Sequence, residues 1–429
     1  MSIATLAEPE YRSQPLEGSL YRRKVLIIVE NLPVPFDRRV WQEARALRDA
    51  GAEVSIICPT GKGLEEREQT LEGIHIYRHP LPLEAKRASE FLVEYGAALL
   101  HETRLAWKVL FRHGFDTLHA CNPPDLIFLV ALPFKLLGKR FIFDHHDINP
   151  ELYEAKFGKR DRLWRTLRLL EWLTFKCADV VISTNESYRQ IALDRGGKRA
   201  NDVFVVRSGP DLTRVNTHRP DPTLRNGRKF LVGYVGVMGA QEGIDLLLES
   251  ARLLIHERGR KDVQFVLVGG GPQVEELQAS CREMKLDEYV TFTGRVPDDR
   301  LFAVLSTADV CVNPDRVNPM NDKSTMNKIM EYMAFGKPIV QFEVKEGRIS
   351  AGSASLYARP NDPVDFAEKI LCLLDDAAAR ARMGDFGRAR LQQELAWSFQ
   401  VPSLIAAYRR VAQRPTLWRF FGKRAAGPA

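Results

Sequence analysis

The chain has 429 residues, of which 45% are hydrophobic and 27% are charged, a balance typical of folded globular proteins rather than disordered chains. Its length is enough for two or three domains. The net charge of +7 favours anionic partners such as nucleotides, phosphorylated substrates, nucleic acid or an anionic membrane surface. The basic residues are scattered rather than grouped with aromatic ones, which argues against nucleic acid.

Targeting and membrane signals are weak. The first 22 residues lack the apolar core of a signal peptide, and we expect a disordered leader there. The most apolar run, LIFLVALPFKLLG, is interrupted by Pro133 and Lys135 and is too short to cross a bilayer. The six cysteines form no C-x-x-C pair, which favours a reducing compartment over a disulfide framework or a zinc site. We therefore expect a cytoplasmic chain.

From Lys24 the sequence alternates strands and helices. KVLIIVE is a continuous apolar run typical of a strand buried on both faces, and AEVSIIC is the next such run. Between them, Asp37 can cap a helix that ends near Gly51. The same alternation continues through the strand-like segments IHIYRH, DTLHAC, RFIFDHH, DVVISTN and VFVVRSG. The pattern predicts a doubly wound parallel sheet, and therefore an α/β fold.

A polar, turn-rich stretch at residues 210–228 predicts a linker, after which the alternation restarts. The later strand-like segments are FLVGYVGV, VQFVLVGGG, VTFTGRV, ADVCVNP and PIVQFE. We predict a first domain at 23–210, a second at 211–398, and a terminal helix and tail at 399–429 that return to the first domain. The WRFFGK segment of the tail mixes aromatic and cationic residues, as a membrane-surface contact does, although such tails are more often frayed or packed on the body.

Candidate binding residues follow the strands, because ligands of open parallel sheets bind beyond the carboxyl ends of the strands. In the first domain these are Glu30, Asn31, Asn122, the cluster Asp144-His145-His146-Asp147, Asn185 and Glu186. In the second they are Gly236 to Gly239, Gly269 to Gly271, Arg295, Asn313 and Asp315. Two facing sheets would bring both sets to one cleft, a common location of ligand sites.

The glycines allow close approach of backbone to a ligand, but they are also common in ordinary turns. Neither group has the G-x-G-x-x-G spacing of a dinucleotide site after the first strand, and no G-x-x-x-x-G-K-[ST] loop is present in the sequence. The DHHD cluster can be interpreted as a metal site. Because neighbouring strand residues point to opposite faces, a single histidine at the strand exit, His146, is the simpler interpretation, with a core histidine as the alternative.

DKSTMNKIMEYMAFGKPIV predicts a short helix followed by a strand. Ser324 can cap the helix, and Gly336 can end it. Asn327, Lys328 and Glu331 share its polar side. These side chains predict either an anion site at a helix start or an ordinary Lys328–Glu331 surface pair, worth about 0.2–0.5 kcal/mol.

Several segments together resemble a retaining GT-B glycosyltransferase of family four, of the bacterial exopolysaccharide and lipopolysaccharide type. They are NLPVPFDRRVWQEARALRDAG, HDINPELYEAKF, GYVGVMGAQEGIDLLLES, FVLVGGGP, VTFTGRV, ADVCVNP and EYMAFGKPIV. The resemblance covers about residues 24–412. It implies two Rossmann-like domains facing a cleft, with the acceptor side in the first domain and the nucleotide-sugar donor in the second.

The resemblance also implies roles at the donor site. The family has two glutamates with seven residues between them; the second, which holds the donor ribose, matches Glu331, whereas Lys323 stands where the first would be. The arginine and lysine that hold the diphosphate are replaced by Val237 and Glu242. We therefore expect Lys328 and Asn327 at the helix start to bind the diphosphate. The other donor-binding residues implied are Gly236, Gly239, Gly270, Asn313, Arg295 and the backbone of Val296, the last two framing the base.

The mechanism implied is metal-independent transfer of a hexosyl or N-acetylhexosaminyl group, with retention and without a cofactor. His146, Lys328 and Glu331 are the catalytic candidates, His146 being near the transferred sugar. The acceptor-side candidates are Arg38, Arg39, Asn122 and Asp147. The partners expected are a nucleotide-sugar and a glycan or lipid-linked acceptor of cell-surface polysaccharide synthesis, with weak attachment to the inner membrane face. The alternatives are a nucleotide-sugar epimerase and a catalytically silent nucleotide-sugar-binding subunit.

Overall fold

The structure is a computed structural model that describes residues 19–80, 88–210, 212 and 219–414. The chain divides into two compact units. The first unit takes its residues from Met1–Asp144, Cys177–Val180 and Leu404–Ala429, and the second from His145–Lys176 and Val181–Ser403. Residues 1–18 of the predicted leader, residues 211 and 213–218 of the predicted linker, and the WRFFGK segment lie outside the described residues. Leu20, within the predicted leader range, is buried, and its N–H donates to the Ala50 carbonyl.

The first sheet has eight strands. They are β1 (Lys24–Ile28), β2 (Glu53–Pro59), β3 (Glu68–Leu71), β4 (Ile74–His79), β5 (Thr117–Cys121), β6 (Arg140–His145), β7 (Val180–Ser183) and β8 (Val203–Val205). Their order in the sheet is β3-β4-β2-β1-β5-β6-β7-β8. β3 pairs antiparallel with β4, whereas β1, β2, β4, β5 and β6 pair in parallel. Every strand that the first half of the sequence predicts is present. β3 was not predicted, because the segment EQTL is polar and half exposed.

The helices in this half are α1 (Arg38–Asp49), α2 (Ala88–Arg112), α3 (Phe128–Leu136), α4 (Asn149–Phe157), α5 (Arg162–Cys177) and α6 (Glu186–Asp194). α1 begins as its sequence predicts, since the Asp37 side chain accepts from the Val40 N–H at 3.1 Å. Its apolar stripe, which includes Val40 and Leu47, is fully buried. Gly51 follows the helix with a φ of +96°, a conformation that glycine adopts readily.

The second sheet has six parallel strands. They are β9 (Phe230–Val235), β10 (Val263–Val268), β11 (Val290–Gly294), β12 (Val310–Asn313), β13 (Ile339–Phe342) and β14 (Ser355–Ala358). The flanking helices are α7 (Ile244–Arg252), α8 (Val274–Glu283), α9 (Asp298–Thr307), α10 (Asn327–Ala334), α11 (Lys345–Ala351), α12 (Pro363–Asp375) and α13 (Ala377–Arg390). The residues of the following helix, α14 (Trp397–Gln413), belong to the first unit from Leu404 onward. The strand β14 was not predicted, since SLYA is short and gives little periodic signal.

The order of the second sheet, β11-β10-β9-β12-β13-β14, reverses beside β9. From β9 the chain winds outward through β10 and β11, and then returns to the other side for β12. At such a switch point the loops after adjacent strands leave in opposite directions and open a crevice. The carboxyl ends of β9 and β12 are therefore where this sheet is expected to bind a ligand.

Both sheets are covered by helices, so the predicted α/β class with two doubly wound sheets is confirmed. The second sheet buries one apolar layer that includes Phe265 and Phe366, and another on its opposite face that includes Met330 and Met333. Within the first unit, the Tyr408 hydroxyl of α14 lies 2.7 Å from His119 Nδ1. Across the described part of the chain, no helix is both long and apolar enough to cross a membrane.

Candidate functional site

The loops after β9 and β10 contact each other through backbone. The Gly236 N–H donates to the Val268 carbonyl at 3.0 Å, and the Met238 N–H donates to the Gly270 carbonyl at 3.1 Å. A Cβ atom added at Gly269 would lie 1.8 Å from the Gly236 carbonyl oxygen. Only glycine fits this approach, so the crevice beside β9 has a floor built from backbone rather than from side chains.

Lys328, the second residue of α10, reaches this floor. Its Nζ donates to Asp315 Oδ1 at 2.9 Å and lies 5.0 Å from the centre of the Tyr234 ring. A Cβ atom at Gly236 would lie 3.4 Å from Lys328 Cε. Among the residues that the structure describes, Lys328 forms its ion pair with Asp315 and not with Glu331. The surface Lys328–Glu331 pair considered from the sequence is therefore not the arrangement found.

Two carboxylates surround the Lys328 ammonium. Burial raises the pKa of Asp315, and the attraction of Lys328 partly offsets that rise. Burial and the nearby Asp315 also raise the pKa of Glu242, whose Oε2 accepts from the Gly239 N–H at 3.0 Å. Burial lowers the pKa of Lys328, but Asp315 outweighs it, so the net shift is upward and the lysine stays charged. The ammonium is thus a fixed cation at the switch point.

Next to this cation, buried polar atoms lack hydrogen bonds. Asn313 is fully buried, and within the described part of the chain neither its Oδ1 nor its Nδ2 completes a hydrogen bond of ordinary geometry, although its side chain lies close enough to lower the pKa of Asp315. Asp315 Oδ2 also lacks a partner there. A buried polar group without a partner costs about 1–3 kcal/mol. A ligand or a water molecule at this position can supply the missing hydrogen bonds.

The other predicted donor residues border the same strand ends. Arg295 follows β11, is exposed, and has its Cγ 3.7 Å from where a Gly270 Cβ would lie. Val296 is half-buried against the apolar layer that contains Met330. Asn327 is the exposed first residue of α10, and Glu331 is half-buried one turn later. Of the donor-binding residues predicted from the sequence, Arg295, Asn327 and Glu331 thus have polar side chains that solvent can reach.

The predicted cap of α10 is wrong. The helix begins at Asn327, its N-cap is Met326, and no side chain caps it. Ser324 lies in the preceding turn, where its hydroxyl donates to the Met320 carbonyl at 2.9 Å. That hydrogen bond satisfies the hydroxyl locally, so the N–H groups at the helix start are not capped by it.

Lys323, at the position of the missing family glutamate, has a structural partner that sequence reasoning missed. Its Nζ lies 3.3 Å from Glu151 Oε1, and its carbonyl accepts from Asn185 Nδ2 at 2.8 Å. Glu151 also accepts from Arg195 at 2.8 Å. Lys323 therefore connects the segment before α10 to α4 and α6 within the second unit. The two residues are 172 positions apart in the sequence, so no local pattern indicates that they form a pair.

The candidate histidines separate as the strand geometry predicts. β6 ends at His145, whose buried ring lies 5.1 Å from the rings of Phe175 and Tyr188. His145 is therefore a core residue, whereas His146 follows the strand and is half-buried. Burial raises the pKa of Asp147, and the nearby His146 lowers it. A histidine and a carboxyl group thus lie together at the strand exit.

Two predicted acceptor-side residues have internal partners in the first unit. Arg39 is buried, and its guanidinium donates to Asp144 at 3.1 and 3.2 Å while lying 3.0 Å from Glu43. Asn122 is buried and donates to Asp125 at 2.8 Å. Arg39 therefore joins the start of α1 to β6, whereas Asn122 makes a contact within the loop after β5. Arg38, at the start of α1, is exposed, so it retains the accessibility that an acceptor contact requires.

Two family models match this chain. The family described as "Glycosyltransferase Family 4" matches residues 37–214, and "Glycosyl transferases group 1" matches residues 229–376. The 2-deoxystreptamine glucosyltransferase of Streptomyces kanamyceticus is 24% identical over 390 residues, which cover 87% of this chain and 98% of the relative. A glycogen synthase of Mycobacterium tuberculosis is 25% identical over 380 residues, covering 84% of this chain and 87% of the relative.

Solved structures show the same fold. Sucrose-phosphate synthase from Thermosynechococcus elongatus superposes with a TM-score of 0.74 at 20% identity, over 91% of this chain and 99% of its own. Anabaena Alr3699/HepE, solved in complex with UDP-glucose, superposes with a TM-score of 0.65 at 17% identity, over 91% of this chain and 98% of its own. The chain is therefore a glycosyltransferase with the GT-B fold, similar to family four.

Proposed function

We propose that this enzyme transfers a sugar from a nucleotide-sugar to a glycan or lipid-linked acceptor, with retention at the anomeric carbon and without a metal ion. The observation that supports this most is the crevice beside β9. There a fixed ammonium, Lys328, lies over a glycine floor and near the buried Asn313 amide, which completes no hydrogen bond of ordinary geometry within the described residues. A diphosphate offers acceptor oxygens and negative charge to the ammonium and to the amide N–H groups.

In this proposal Lys328 contacts the diphosphate and Asp315 keeps the ammonium in position. The N–H groups at the start of α10 add their partial positive charge, as helix starts do for anions. Glu331 accepts hydrogen bonds from the two ribose hydroxyls, and Arg295 frames the base. Support for a nucleotide-sugar comes from Anabaena Alr3699/HepE, which has been solved with UDP-glucose.

The chemistry follows from where charge develops. As the glycosidic bond to the diphosphate breaks, negative charge grows on the leaving oxygen, and a preorganised cation stabilises that charge more than it stabilises the bound donor. The acceptor hydroxyl attacks from the face that the leaving group occupies, which retains the anomeric configuration. His146 and Asp147 lie at the exit of β6, where we place the transferred sugar, and Arg38 contacts the acceptor.

We place this activity in the cytoplasm, in the synthesis of cell-surface polysaccharide.

Arg39 and Asn122 were predicted from the sequence to contact the acceptor, but their internal hydrogen bonds favour a supporting role. The departures from the family at Lys323, Val237 and Glu242 mean that Lys328 supplies the cation otherwise provided by the glycine turn.

A thermal-shift screen tests the proposal. The full chain is heated with UDP-, GDP- and ADP-sugars at 1 mM, with the corresponding nucleoside monophosphates as controls. A ligand present at about 100 times its Kd stabilises the folded state by about 2.7 kcal/mol, so one nucleotide-sugar should raise Tm by several degrees. The same donor should support transfer that persists in EDTA.

Three outcomes would count against the proposal. One is the absence of any shift with every nucleotide-sugar. A second is product formed from the donor alone, which is the behaviour of an epimerase. The third is loss of activity in EDTA with recovery on adding a divalent ion, which would contradict the metal-independent mechanism.

A further inference from the structure

The segment from the end of α4 through α5 carries an unusual concentration of positive charge. Residues 156–176 contain seven lysines and arginines and two acidic residues. One of those acids, Glu171, is buried and accepts from Arg195 at 2.6 Å, with Arg168 farther away at 3.9 Å. The cations are Lys156, Lys159, Arg160, Arg162, Arg165, Arg168 and Lys176.

Large apolar side chains are exposed among these cations. Phe157 is 60% exposed, Leu163 45%, Leu169 53% and Trp172 41%. Five exposed residues of α5 recur at helical spacing and therefore lie on one stripe of the helix. They are Arg162, Arg165, Leu169, Trp172 and Lys176. We call the exposed residues of 156–176 the α5 face. It is a solvent-facing surface in which apolar and cationic groups alternate.

The aromatic rings of the α5 face are already in contact with cations. The guanidinium carbons of Arg160 and Arg168 each lie 5.3 Å from the centre of the Trp164 ring. Lys176 Nζ lies 5.6 Å from the Trp172 ring. With cations against its face, Trp164 is poorly placed to stack a nucleobase. An amphipathic tryptophan beside cations suits the headgroup region of a bilayer.

We propose that the α5 face binds the surface of an anionic membrane. Its cations would contact lipid phosphates, and Phe157, Leu163, Leu169 and Trp172 would enter the boundary between headgroups and acyl chains. Three of the seven cations, Lys159, Arg160 and Arg168, lie within 4 Å of a carboxylate. The stripe cations Arg162, Arg165 and Lys176 form no ion pair within the described part of the chain. Charge complementarity therefore selects an anionic surface over a neutral protein surface as the occupant. The inference rests on the proposed function in one respect: a lipid-linked acceptor would then be within reach.

Liposome sedimentation of the full chain tests this proposal. Binding should be strong to vesicles with 30% phosphatidylglycerol, weak to pure phosphatidylcholine vesicles, and reduced by 0.5 M salt, because surface attraction is screened over about 8 Å at physiological ionic strength. The double variant Arg162→Gln/Arg165→Gln should bind anionic vesicles about 25-fold less, at about fivefold for each charge. Trp172→Ser should bind at least threefold less without any change of net charge.

The matched control is Lys261→Gln/Arg300→Gln, which removes two exposed cations elsewhere on the second unit. It should bind anionic vesicles within twofold of the wild type. An equal loss in this control would overturn the α5 face as the site and leave only net charge. Wild-type binding by Arg162→Gln/Arg165→Gln would also overturn it and point to another segment.

A dimer in light scattering that Trp172→Ser abolishes would overturn the proposal too, because the occupant of the face would then be a second copy. Failure here is distinguishable from failure of the proposed function. Donor binding without lipid, measured by thermal shift, should be the same in the wild type and in Arg162→Gln/Arg165→Gln, since these residues lie outside the donor crevice.

Discussion

Each unit of the enzyme buries an ion pair at the end of a parallel strand. In the first unit Arg39 pairs with Asp144 on β6, and in the second Lys328 pairs with Asp315 after β12. In both, burial raises the pKa of a second carboxyl group, Glu43 or Glu242. By composition the two clusters are alike: one cation with two acids.

They differ in how the cation is held. We call the first cluster closed, because Arg39 donates to both oxygens of Asp144 and lies 3.0 Å from Glu43. We call the second open, because Lys328 contacts one oxygen of Asp315 and lies over the glycine floor at the switch point. Buried polar atoms without hydrogen bonds of ordinary geometry within the described part of the chain occur in both, on Glu43 in the first and on Asn313 and Asp315 in the second. Neither a buried ion pair nor such atoms therefore mark a site by themselves; the glycine floor distinguishes the second cluster.

The identity of the cation contributes to this difference. A guanidinium is a planar group whose fork of donors matches a carboxylate, and it can hold two acids in fixed geometry. An ammonium is a compact charge with three rotatable donors, so Lys328 can contact Asp315 and still donate to a ligand. The first cluster stabilises the fold, and the second is suited to bind an anion.

The largest expected effect comes from opening the closed cluster. Arg39→Met leaves Asp144 buried without its cation, and breaking a buried pair in this way costs about 3–5 kcal/mol. Urea unfolding should show the loss as a lower midpoint. The adjacent Arg38→Met is the control, because Arg38 is exposed and its removal should cost less than about 0.5 kcal/mol. Equal effects of the two changes would remove the distinction between the clusters.

Lys328→Met tests the open cluster. Removing a preorganised charge from the leaving group should lower kcat about 10²- to 10³-fold. Stability should fall less than in Arg39→Met, because the pKa of Asp315 is already raised by burial and the carboxyl can become neutral. Lys323→Met should change kcat less than threefold, since that lysine pairs with Glu151. If kcat of Lys328→Met stays within threefold of the wild-type value, Lys328 does not stabilise the leaving group and the two clusters do not differ in function.

Glu331→Gln should weaken donor binding without destabilising the protein. Hydrogen bonds to a charged acceptor contribute about 1.5–3 kcal/mol, so Kd for the nucleotide-sugar should rise about 10- to 100-fold. Titration calorimetry measures the change, and Tm should stay near the wild-type value because Glu331 lies outside the buried Met330–Met333 layer. An unchanged Kd would remove Glu331 from the donor site.

The smallest effect is a change in pH dependence. The folded pKa of Glu43 lies well above its ordinary value of 4.5, so above pH 4.5 the folded state holds a proton that the unfolded chain releases. Stability is then fully present below pH 4.5 and falls as pH rises toward the folded pKa, by up to about 1.4 kcal/mol per pH unit. Glu43→Gln removes this contribution. Its free energy of unfolding should fall less steeply between pH 5 and 8, and a slope parallel to wild type would contradict the assignment.

Much of the fold could be predicted because buried strands have a strong local signal. KVLIIVE and VQFVLVGGG are continuous apolar runs, and the glycines of the second follow the carboxyl end of its strand as expected. β3 and β14 were missed because a short or polar strand takes its stability from its neighbours rather than from its own pattern.

The site was only partly predictable. Lys328 and Asn313 could be chosen because strand ends and helix starts are readable from sequence. That Asp315 holds Lys328, that Glu151 holds Lys323 and that Asp144 holds Arg39 are facts of tertiary packing. Sequence separations of up to 172 residues carry no periodic signal from which such pairs could be recognised. The Ser324 cap failed for a local reason, because its hydroxyl had a nearer carbonyl acceptor.

The contact between Gly269 and Gly236 has a consequence for how this enzyme can change. A Cβ at Gly269 would overlap a carbonyl oxygen at 1.8 Å, and a Cβ at Gly271 would lie 2.4 Å from the Met238 carbonyl oxygen. Random substitutions at these two positions should be lost from any active library. In the proposed donor site, new donor preferences should instead arise at the rim, where Val237 is 51% exposed and Arg295 is exposed. Side chains are therefore excluded at Gly269 and Gly271, whereas substitutions at Val237 and Arg295 can be accommodated in the folded enzyme.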